Sequence, residues 1–175
     1  NTVPVLDLRL KGSSSIIGDR SFSHDPKVVS RIGDICIENF HKNKIGTIMK
    51  HIPGHGLAKV DSHKLTPTIK QNLKYLSEKD FIPFKNTRCL FGMTAHIVYS
   101  HIDKVYTATH SKKVIDIIRK KIKFQNILLS DDISMKSLKF SIKDNTIKAF
   151  SAGCDLVLHC NGNLKEMKAV AINSP

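Results

Sequence analysis

A carboxylate and an imidazole stand two residues apart near the middle of the chain, at Asp61 and His63. Two side chains at this spacing point to the same side of an extended segment. A carboxylate in that position can orient the imidazole, fix its tautomer and stabilise its protonated form. The pair is therefore a candidate for general acid–base chemistry, and the alternative is a plain Asp-Ser-His turn at the surface.

The segment that ends in this pair is rich in histidine and glycine. It runs from Lys50 to His63, and two glycines flank His55, which opens backbone conformations closed to other residues. His51, His55 and His63 could instead bind a metal ion, but their spacing matches no standard zinc pattern and no cysteine lies nearby. We therefore expect the site to use neither a metal nor another cofactor.

Two adjacent carboxylates, Asp131 and Asp132, follow the apolar run of residues 127–129. One of them could act as a nucleophile or base if Lys50 or Arg20 holds its pKa low. The other would then cap the following turn. We assign the chemical role to Asp131 and the structural role to Asp132.

His96 follows a further apolar run, at residues 89–93, and has two interpretations. It could donate a hydrogen bond to a substrate. It could equally be a buried histidine whose ring nitrogens are satisfied within the protein. The sequence alone does not favour one interpretation over the other.

The segments that precede these residues predict a parallel α/β sheet. Five of them are continuously apolar rather than alternating, which indicates strands buried on both faces. They alternate with helix-like segments, an order that is typical of a parallel sheet. The predicted strands are residues 3–8, 45–49, 89–93, 127–129 and 154–159.

Helices are predicted between these strands from apolar spacing and from end signals. The first begins with Asp25 as the N-cap and Pro26 in the first turn. Its predicted inward face consists of Val28, Val29, Ile32, Ile35, Cys36 and Phe40. The others are a helix marked by Ile69, Leu73 and Leu76, a helix capped by Ser111 with Val114, Ile115, Ile118 and Ile122 inward, and a helix over residues 145–152 that ends at Gly153.

Polar or ionisable residues follow each predicted strand. In a parallel sheet these positions lie at one edge, where the carboxyl ends of the strands meet. This regularity predicts a single site at that edge. Its members are Arg20, Lys50 with His51, His96, Asp131 and Asn161.

The net charge of +13 raises the question of a nucleic-acid or membrane partner. The lysines are dispersed, and the densest basic run, residues 119–123, ends a predicted amphipathic helix, where cations suit the helix dipole. There is no RNA-binding aromatic signature, no zinc-finger spacing and no apolar run of the roughly 20 residues that span a bilayer. We therefore expect neither a nucleic-acid nor a membrane partner.

The cysteines form no C-x-x-C pair, and their neighbours are mostly apolar. This favours small buried hydrophobic side chains in a reducing compartment over disulfides. The residues concerned are Cys36, Cys89, Cys154 and Cys160.

The histidine-rich segment resembles the signature of one enzyme family. It reads Lys50-His51-x-Pro53-Gly54-His55-Gly56-x4-Asp61-Ser62-His63, which is similar to the signature of bacterial β-N-acetylglucosaminidases of glycoside hydrolase family 3. The resemblance is specific because the motif is long and has the family's spacing. Further matches follow the family's order along nearly the whole chain, at residues 4–7, 18–22, 95–99, 130–135 and 152–155.

This resemblance implies a (β/α)8 barrel of the TIM type and a retaining exo-β-N-acetylglucosaminidase. Such an enzyme would remove terminal β-linked N-acetylglucosamine from peptidoglycan fragments in the cytoplasm, during cell-wall recycling. Asp131 matches the family's nucleophile, His63 its acid/base and Asp61 the partner of that histidine. The residues that match its sugar-holding side chains are Arg20, Lys50 and His51.

The length of the chain limits what this resemblance implies. A complete barrel domain needs about 250 residues, and this chain has 175. We therefore expect a single domain over residues 1–175, a fragment of the catalytic barrel truncated at both ends, with about five of the eight strands. The missing part, which carries an acidic sugar-binding residue in the family, is a candidate partner. The alternatives are a degenerate, catalytically inactive remnant and, on charge alone, a basic nucleic-acid-binding protein.

Overall fold

The fold is known from a computed structural model, which describes residues 1–62 and 65–175. The strands in this part of the chain are β1 (Ile48–Ile52), β2 (Thr68–Ile69), β3 (Phe91–Thr94), β4 (Val98–Tyr99), β5 (Ile127–Asp132) and β6 (Leu156–Leu158). The α-helices are α1 (Pro26–Lys42), α2 (Leu73–Glu78), α3 (Lys112–Ile117), α4 (Ile142–Ala152) and α5 (Leu164–Asn173).

A four-stranded parallel sheet in the order β1-β3-β5-β6 forms the centre of the fold. Its register places Met49 beside Gly92 and Met93 beside Leu129. Helices lie between consecutive strands of this sheet along the chain, as parallel connections require. The predicted parallel α/β architecture is confirmed.

The first predicted strand, residues 3–8, lies beside β1 with only part of a hydrogen-bond ladder. Val5 forms an isolated parallel bridge with Lys50. The amide of Leu6 donates to the Lys50 carbonyl at 2.8 Å, and the Lys50 amide donates to the Pro4 carbonyl at 3.1 Å. Pro4 has no N–H to donate, which limits the pairing. This segment therefore takes the position of a strand at the β1 edge without being a continuous one.

A second sheet, formed by β2 and β4, was not predicted from the apolar pattern. It is parallel and two-stranded. Ile69, which the sequence assigns to the second helix, instead lies in β2 beside Tyr99. The second helix, α2, starts later because the side chain of Asn72 caps it and accepts a hydrogen bond from the Tyr75 amide at 2.9 Å.

The other helix ends lie close to their predicted positions. Asp25 caps α1 and Ser111 caps α3, each accepting hydrogen bonds from backbone amides of the first turn. Gly153 ends α4 with φ at +114°, a conformation that favours glycine. Helix α4 begins before the predicted residue 145 because Ser141 caps it, and α5 was not predicted. None of the helices in residues 1–62 and 65–175 is long and apolar enough to cross a membrane.

The buried face of α1 differs from the predicted one. Val28 and Ile35 are 42% and 51% exposed, whereas Gly33 and Ile37 are buried. A Cβ at Gly33 would lie 2.5 Å from Cδ2 of Leu6, so α1 approaches the core through this glycine. A search for apolar side chains cannot detect such a contact, and the predicted face was therefore wrong at Val28 and Ile35.

The hydrophobic core takes residues from the central sheet and from all helices except α5. The inward face predicted for α3 is confirmed. Its members Val114, Ile115, Ile118 and Ile122 are buried. The last two lie in π-helical turns that continue α3 through Ile118–Ile122.

All the cysteines are free thiols. Cys89 and Cys154 are buried, as predicted, and Cys36 is half-buried. Cys160 is exposed, contrary to the prediction, because it follows the edge strand β6 in a loop. Its backbone amide, rather than its side chain, is used there, and donates to Asp132 Oδ1 at 3.1 Å.

Candidate active site

A cavity of about 220 Å³, called the catalytic cavity below, opens at the carboxyl ends of the central strands. It lies where the sequence places a site, and β1, β3, β5 and β6 all contribute to its wall. Its polar lining residues are Thr2, Arg20, Lys50, His51, His55, Ser62 and Asp131. The structure therefore brings together Arg20, Lys50, His51 and Asp131, as predicted. The prediction was wrong about the strand ends, because Lys50 and His51 lie within β1 and Asp131 lies within β5.

Two residues of the predicted edge cluster lie outside this cavity. His96 is buried behind it, and Asn161 is exposed and donates to Glu166 Oε2 at 2.6 Å. The strand β6 that precedes Asn161 contributes Leu158 to the cavity wall instead. Polar residues after predicted strands thus indicate where the cavity lies, but they do not predict which of those residues line it.

A buried carboxylate, Asp7, organises the inner wall of the cavity. Its Oδ2 accepts a hydrogen bond from His51 Nδ1 at 2.6 Å, and its Oδ1 accepts from the backbone amide of His55 at 2.7 Å. The His51 amide also donates to Asp7 at 3.1 Å. Burial alone would raise the pKa of Asp7, but His51 and His55 outweigh it and hold that pKa below its ordinary value. Asp7 is therefore an ionised acceptor.

Asp7 was not among the predicted site residues. The segment at residues 4–7 matches the resembling family, but Asp7 lies inside the predicted strand of residues 3–8 instead of after it, and its two neighbours are leucines. Its partner His51 is 44 residues away. Only the family match to residues 4–7 gives a signal for it.

His51 lies between two carboxylates. Because the ionised Asp7 can only accept, His51 Nδ1 donates to it and Nε2 faces the cavity. There Nε2 lies 3.9 Å from Oδ2 of Asp131, a distance too long for a direct hydrogen bond. The row Asp7–His51–Asp131 thus connects the core to the cavity.

Asp131 lies near the carboxyl end of β5 and is the carboxylate that lines the cavity. Its Oδ1 accepts from the Asp132 amide at 2.8 Å. Burial would raise the pKa of Asp131, but His51, His96, this amide and Lys50 together hold it below its ordinary value. The histidines contribute more to this lowering than Lys50 does, which refines the prediction from sequence. The carboxylate is ionised at neutral pH.

The adjacent Asp132 has the structural role predicted for it. Its Oδ1 accepts from the backbone amide of Ser134 at 3.0 Å and from that of Cys160 at 3.1 Å. These bonds tie the end of β5 to the turn that follows it and to the loop after β6. Side chains of consecutive strand residues point to opposite sides, so this tie leaves Asp131 directed to the cavity.

The two cations of the cavity have different surroundings. Lys50 is half-buried, and burial together with the nearby Arg20 lowers its pKa, while Asp131 and Asp7 raise it in part. Arg20 is exposed at the end of a short helical turn, where its Nη2 donates to the Ile16 carbonyl at 2.7 Å. Both side chains offer N–H donors to hydroxyl groups of a ligand.

His96 is a buried histidine satisfied within the protein, the second of its two interpretations. Its Nε2 donates to the Asp132 carbonyl at 2.9 Å, and its Nδ1 lies 2.8 Å from Thr109 Oγ1. Burial lowers its pKa, which favours the neutral ring, so Nδ1 accepts from the threonine hydroxyl. His96 therefore holds the backbone beside Asp131.

The histidine-rich segment is anchored to the cavity by His55. Its Nε2 lies 3.0 Å from Ser62 Oγ, and both residues line the cavity. Burial lowers the pKa of His55 to about 4, so the ring is neutral at pH 7. Asp61, next to Ser62, is half-buried. His63, the predicted acid/base, lies outside the described residues.

The start of this segment rests on a second buried carboxyl. Gly54 has φ at +143°, and a Cβ there would lie 2.9 Å from Cβ of Asp80. The Tyr99 hydroxyl donates to the Gly54 carbonyl. Both carboxyl oxygens of Asp80 are buried without a hydrogen-bond partner in residues 1–62 and 65–175. Burial, with the charge of Asp7, raises the pKa of Asp80 to about 7.

The rings of His51 and His55 each have a hydrogen-bond partner within the protein and are not arranged as a pair of metal ligands. One donates to Asp7 and the other contacts Ser62. Among the residues that the structure describes, no group of three or more histidine, cysteine or acidic side chains is arranged to hold a metal ion.

Comparison with known sequences places most of the chain in one protein family. The profile of the glycosyl hydrolase family 3 N-terminal domain matches residues 2–173. The beta-hexosaminidase of Nitrosomonas eutropha is 34% identical over 163 residues, which cover 90% of this chain and 47% of that protein. The beta-hexosaminidase of Actinobacillus succinogenes is 36% identical over 164 residues, with coverages of 90% and 47%. The chain spans about half the length of these relatives.

Solved structures give the same result for the fold. A glycoside hydrolase family 3 beta-N-acetylglucosaminidase from Paenibacillus sp. str. FPU-7 superposes with a TM-score of 0.93 at 25% identity, covering 99% of this chain and 34% of that one. Native NagZ from Neisseria gonorrhoeae superposes with a TM-score of 0.85 at 31% identity, covering 98% of this chain and 54% of that one. The predicted partial barrel with parallel strands is confirmed.

Proposed function

The chain belongs to glycoside hydrolase family 3, and from this premise we propose that its catalytic cavity cleaves terminal β-linked N-acetylglucosamine from peptidoglycan fragments. The observation that carries the proposal is the ionised Asp131 at the end of β5, in one cavity with Arg20, Lys50 and His51. The relatives named beta-hexosaminidase and beta-N-acetylglucosaminidase support the choice of sugar.

Asp131 is the proposed nucleophile. Its carboxylate attacks the anomeric carbon while the bond from that carbon to the leaving oxygen breaks, and a covalent glycosyl-enzyme forms. Water then attacks the same carbon, and the carboxylate leaves. Two inversions give net retention of configuration. The low pKa of Asp131 supports this role because a nucleophile must be deprotonated when the substrate arrives.

His63 is the proposed acid/base, with Asp61 as its partner. In the first step the protonated imidazole gives its proton to the leaving oxygen, and in the second it takes a proton from the attacking water. Ser62, between the two, lines the catalytic cavity and is held by His55. This contact supports the proposal because it holds Ser62, the neighbour of both residues in the sequence, at the cavity.

Arg20, Lys50 and His51 are the proposed sugar-binding residues. Arg20 and Lys50 carry donors for the hydroxyl groups of the terminal sugar. His51, oriented by Asp7, is held next to the nucleophile. Asp7 is therefore a positioning residue in this proposal, since it acts through His51.

The proposal extends to the setting of the reaction. Residues 1–175 form one domain, a part of the catalytic barrel, and the rest of that barrel completes the site in the whole enzyme. The reaction needs no cofactor and takes place in the cytoplasm, where the unpaired thiols would remain reduced. Neither nucleic acid nor membrane takes part.

A chromogenic β-N-acetylglucosaminide tests this function on the full chain. We expect release of the chromophore by the unchanged chain, and a rate lower by at least about 1,000-fold for Asp131→Asn, because the nucleophile is lost. Asp116→Asn, the same substitution on an exposed acid of α3, is the matched control and should keep the rate. A folded chain with no turnover would contradict activity of residues 1–175 by themselves and would support the inactive remnant.

A further inference from the structure

A second cavity, of about 230 Å³, lies between the loop after β4 and the turn after β5. We call it the threonine cavity. Its walls come from residues 66–68, 98–110 and 137–140, and it shares no lining residue with the catalytic cavity. The Thr66 hydroxyl donates to the Ser137 carbonyl, which joins two of these walls. The reaction proposed above leaves this cavity without a role.

Three of its lining residues each carry a buried polar atom with no hydrogen-bond partner in the described part of the chain. These atoms are Oγ1 of Thr107, Nε2 of His110 and Oγ of Ser137. The three residues are only 5%, 7% and 1% exposed, and all of them line the cavity. Since buried polar atoms are almost always hydrogen-bonded, three such atoms around one cavity point to a ligand that bonds to them.

The chemistry of these atoms suits a ligand with several hydroxyl groups. Burial lowers the pKa of His110 to about 4, although a hydrogen bond to the Asn145 backbone raises it in part, so the ring is neutral at pH 7. With its one N–H directed to that backbone, the ring leaves its unpartnered Nε2 as an acceptor. The hydroxyls of Thr107 and Ser137 each donate and accept. Hydroxyl groups on a ligand can form hydrogen bonds with all three atoms. A ligand that only donates or only accepts would leave part of the hydrogen-bonding capacity of the two hydroxyls unused.

The mouth of the cavity adds aromatic rings and cations. Tyr106 and Phe140 line it with their ring centroids 6.3 Å apart, and Lys148 Nζ lies 4.7 Å from the Phe140 centroid. Lys104 and Lys139 line the cavity itself, and no aspartate or glutamate among the described residues does. Aromatic rings pack on the apolar faces of sugar rings, and ammonium groups without competing acids attract a carboxylate.

We propose that the threonine cavity is a second carbohydrate site that binds one sugar unit bearing a carboxylate. Its volume is below the roughly 300–1,000 Å³ of pockets for drug-sized ligands, which fits a single ring. The proposal goes beyond the glycosidase activity and does not depend on it, because it concerns binding at residues that do not line the catalytic cavity.

Backbone amide NMR of the full chain, titrated with three probes, tests the site. Glucuronate has both the ring and the carboxylate, glucose lacks the carboxylate, and acetate lacks the ring. We expect shifts at Thr107, His110 and Ser137, with glucuronate at least about tenfold tighter than either other probe. Shifts at Lys50 and Met93 would report binding in the catalytic cavity instead. Equal binding of glucose overturns the acidic class, and no shift at the three amides overturns the site.

Two substitutions separate ligand binding from folding. Thr107→Val and Ser137→Ala each remove a hydroxyl that has no partner in the described protein, so the melting temperature should stay level or rise. Each should weaken glucuronate binding by about 3–10-fold, the loss of one hydrogen bond. Unchanged affinity in both variants, or a marked fall in melting temperature, overturns the proposal.

Thr47→Val provides the matched control for these variants. Its hydroxyl is also buried, but it is paired with His41 at 3.0 Å and with Cys89 at 3.2 Å, near the opposite end of β1. This variant should lower the melting temperature and leave glucuronate affinity unchanged. The two sets of variants thus give opposite results in the two measurements.

Discussion

The carboxylate of Asp7 fixes both a ring and a backbone turn. Its Oδ2 accepts from the imidazole of His51, and its Oδ1 accepts from the His55 amide. The two oxygens therefore have different partners, and the acceptor at Oδ1 cannot be exchanged for a donor. At the scale of single residues, the state of His51 beside Asp131 depends on this buried charge.

Asp7→Asn should switch the tautomer of His51. The amide oxygen must take the Oδ1 position, because the His55 amide needs an acceptor there, so the NH2 group donates to His51 Nδ1. A ring that carries one proton then holds it on Nε2, beside Asp131. Imidazole ¹⁵N NMR measures this switch, and in an active enzyme kcat/KM should fall about 100-fold.

The exposed-acid variant Asp116→Asn serves as the control for this experiment as well. It should leave the ¹⁵N spectrum of His51 as it is in the unchanged chain. If Asp7→Asn also leaves that spectrum unchanged, Asp7 does not orient the ring. A merely structural role of Asp7 would alter the melting temperature without exchanging the protonated nitrogen.

Asp80 makes the stability of the fold depend on pH, with a sign opposite to that of a carboxyl group whose pKa is lowered on folding. Its pKa is about 7 in the folded state, against an ordinary value of 3.8. Between these values the folded chain binds more protons at Asp80 than the unfolded chain does. The stability contributed by protonated Asp80 is therefore complete below about pH 4 and is lost as the pH rises through 7.

Asp80→Asn should remove this dependence, because the amide has a similar size and does not titrate. The free energy of unfolding of the variant minus that of the unchanged chain should rise by on the order of 4 kcal/mol between about pH 4 and pH 8. Urea denaturation across this range measures the difference. Histidines that titrate nearby cancel in the subtraction, and a difference independent of pH contradicts the assignment.

Strand β5 shows how one element separates two identical side chains. Asp131 faces the catalytic cavity, and Asp132 turns to the amides of Ser134 and Cys160. The alternation of side chains along a strand makes this division predictable from sequence. The end of β5 thus provides both a carboxylate that faces the cavity and a second one that holds the neighbouring backbone.

Helix α5 is the element with the least attachment to the core. None of its residues is buried, and Leu164, Met167 and Ile172 are largely exposed. Helices that bury few apolar side chains open at low free-energy cost. Amide hydrogen exchange should therefore be at least about tenfold faster in α5 than in α4, which buries Thr146 and Ala149. Equal protection of the two helices would show that α5 opens only with the rest of the fold.

For the whole molecule, the parallel sheet and the location of the site could be predicted from the sequence. Continuous apolar runs identify strands buried on both faces, and the residues after them meet at one edge. These rules use only the order of apolar and polar residues along the chain, and the strands of the central sheet have that order. They predicted Arg20, Lys50, His51 and Asp131 in one cavity, as the structure has them.

The features that were missed depend on contacts between distant parts of the chain. The strands β2 and β4 have two residues each, too few to show a period. The inward face of α1 is centred on Gly33, which a count of apolar side chains ignores. Asp7 and the anchor between His55 and Ser62 need coordinates, because only the fold determines which acceptor a buried donor reaches.

The segment that bears Asp7 is held beside β1 by a single bridge and a few amide bonds, and the central sheet does not count it among its strands. Leu6 of this segment packs against Gly33 of α1, but the carboxylate of Asp7 gives the four central strands no ladder hydrogen bond. A variant that loses only this carboxylate should therefore keep the circular dichroism spectrum of the unchanged chain. It would nevertheless have lost the anion that orients the imidazole of His51.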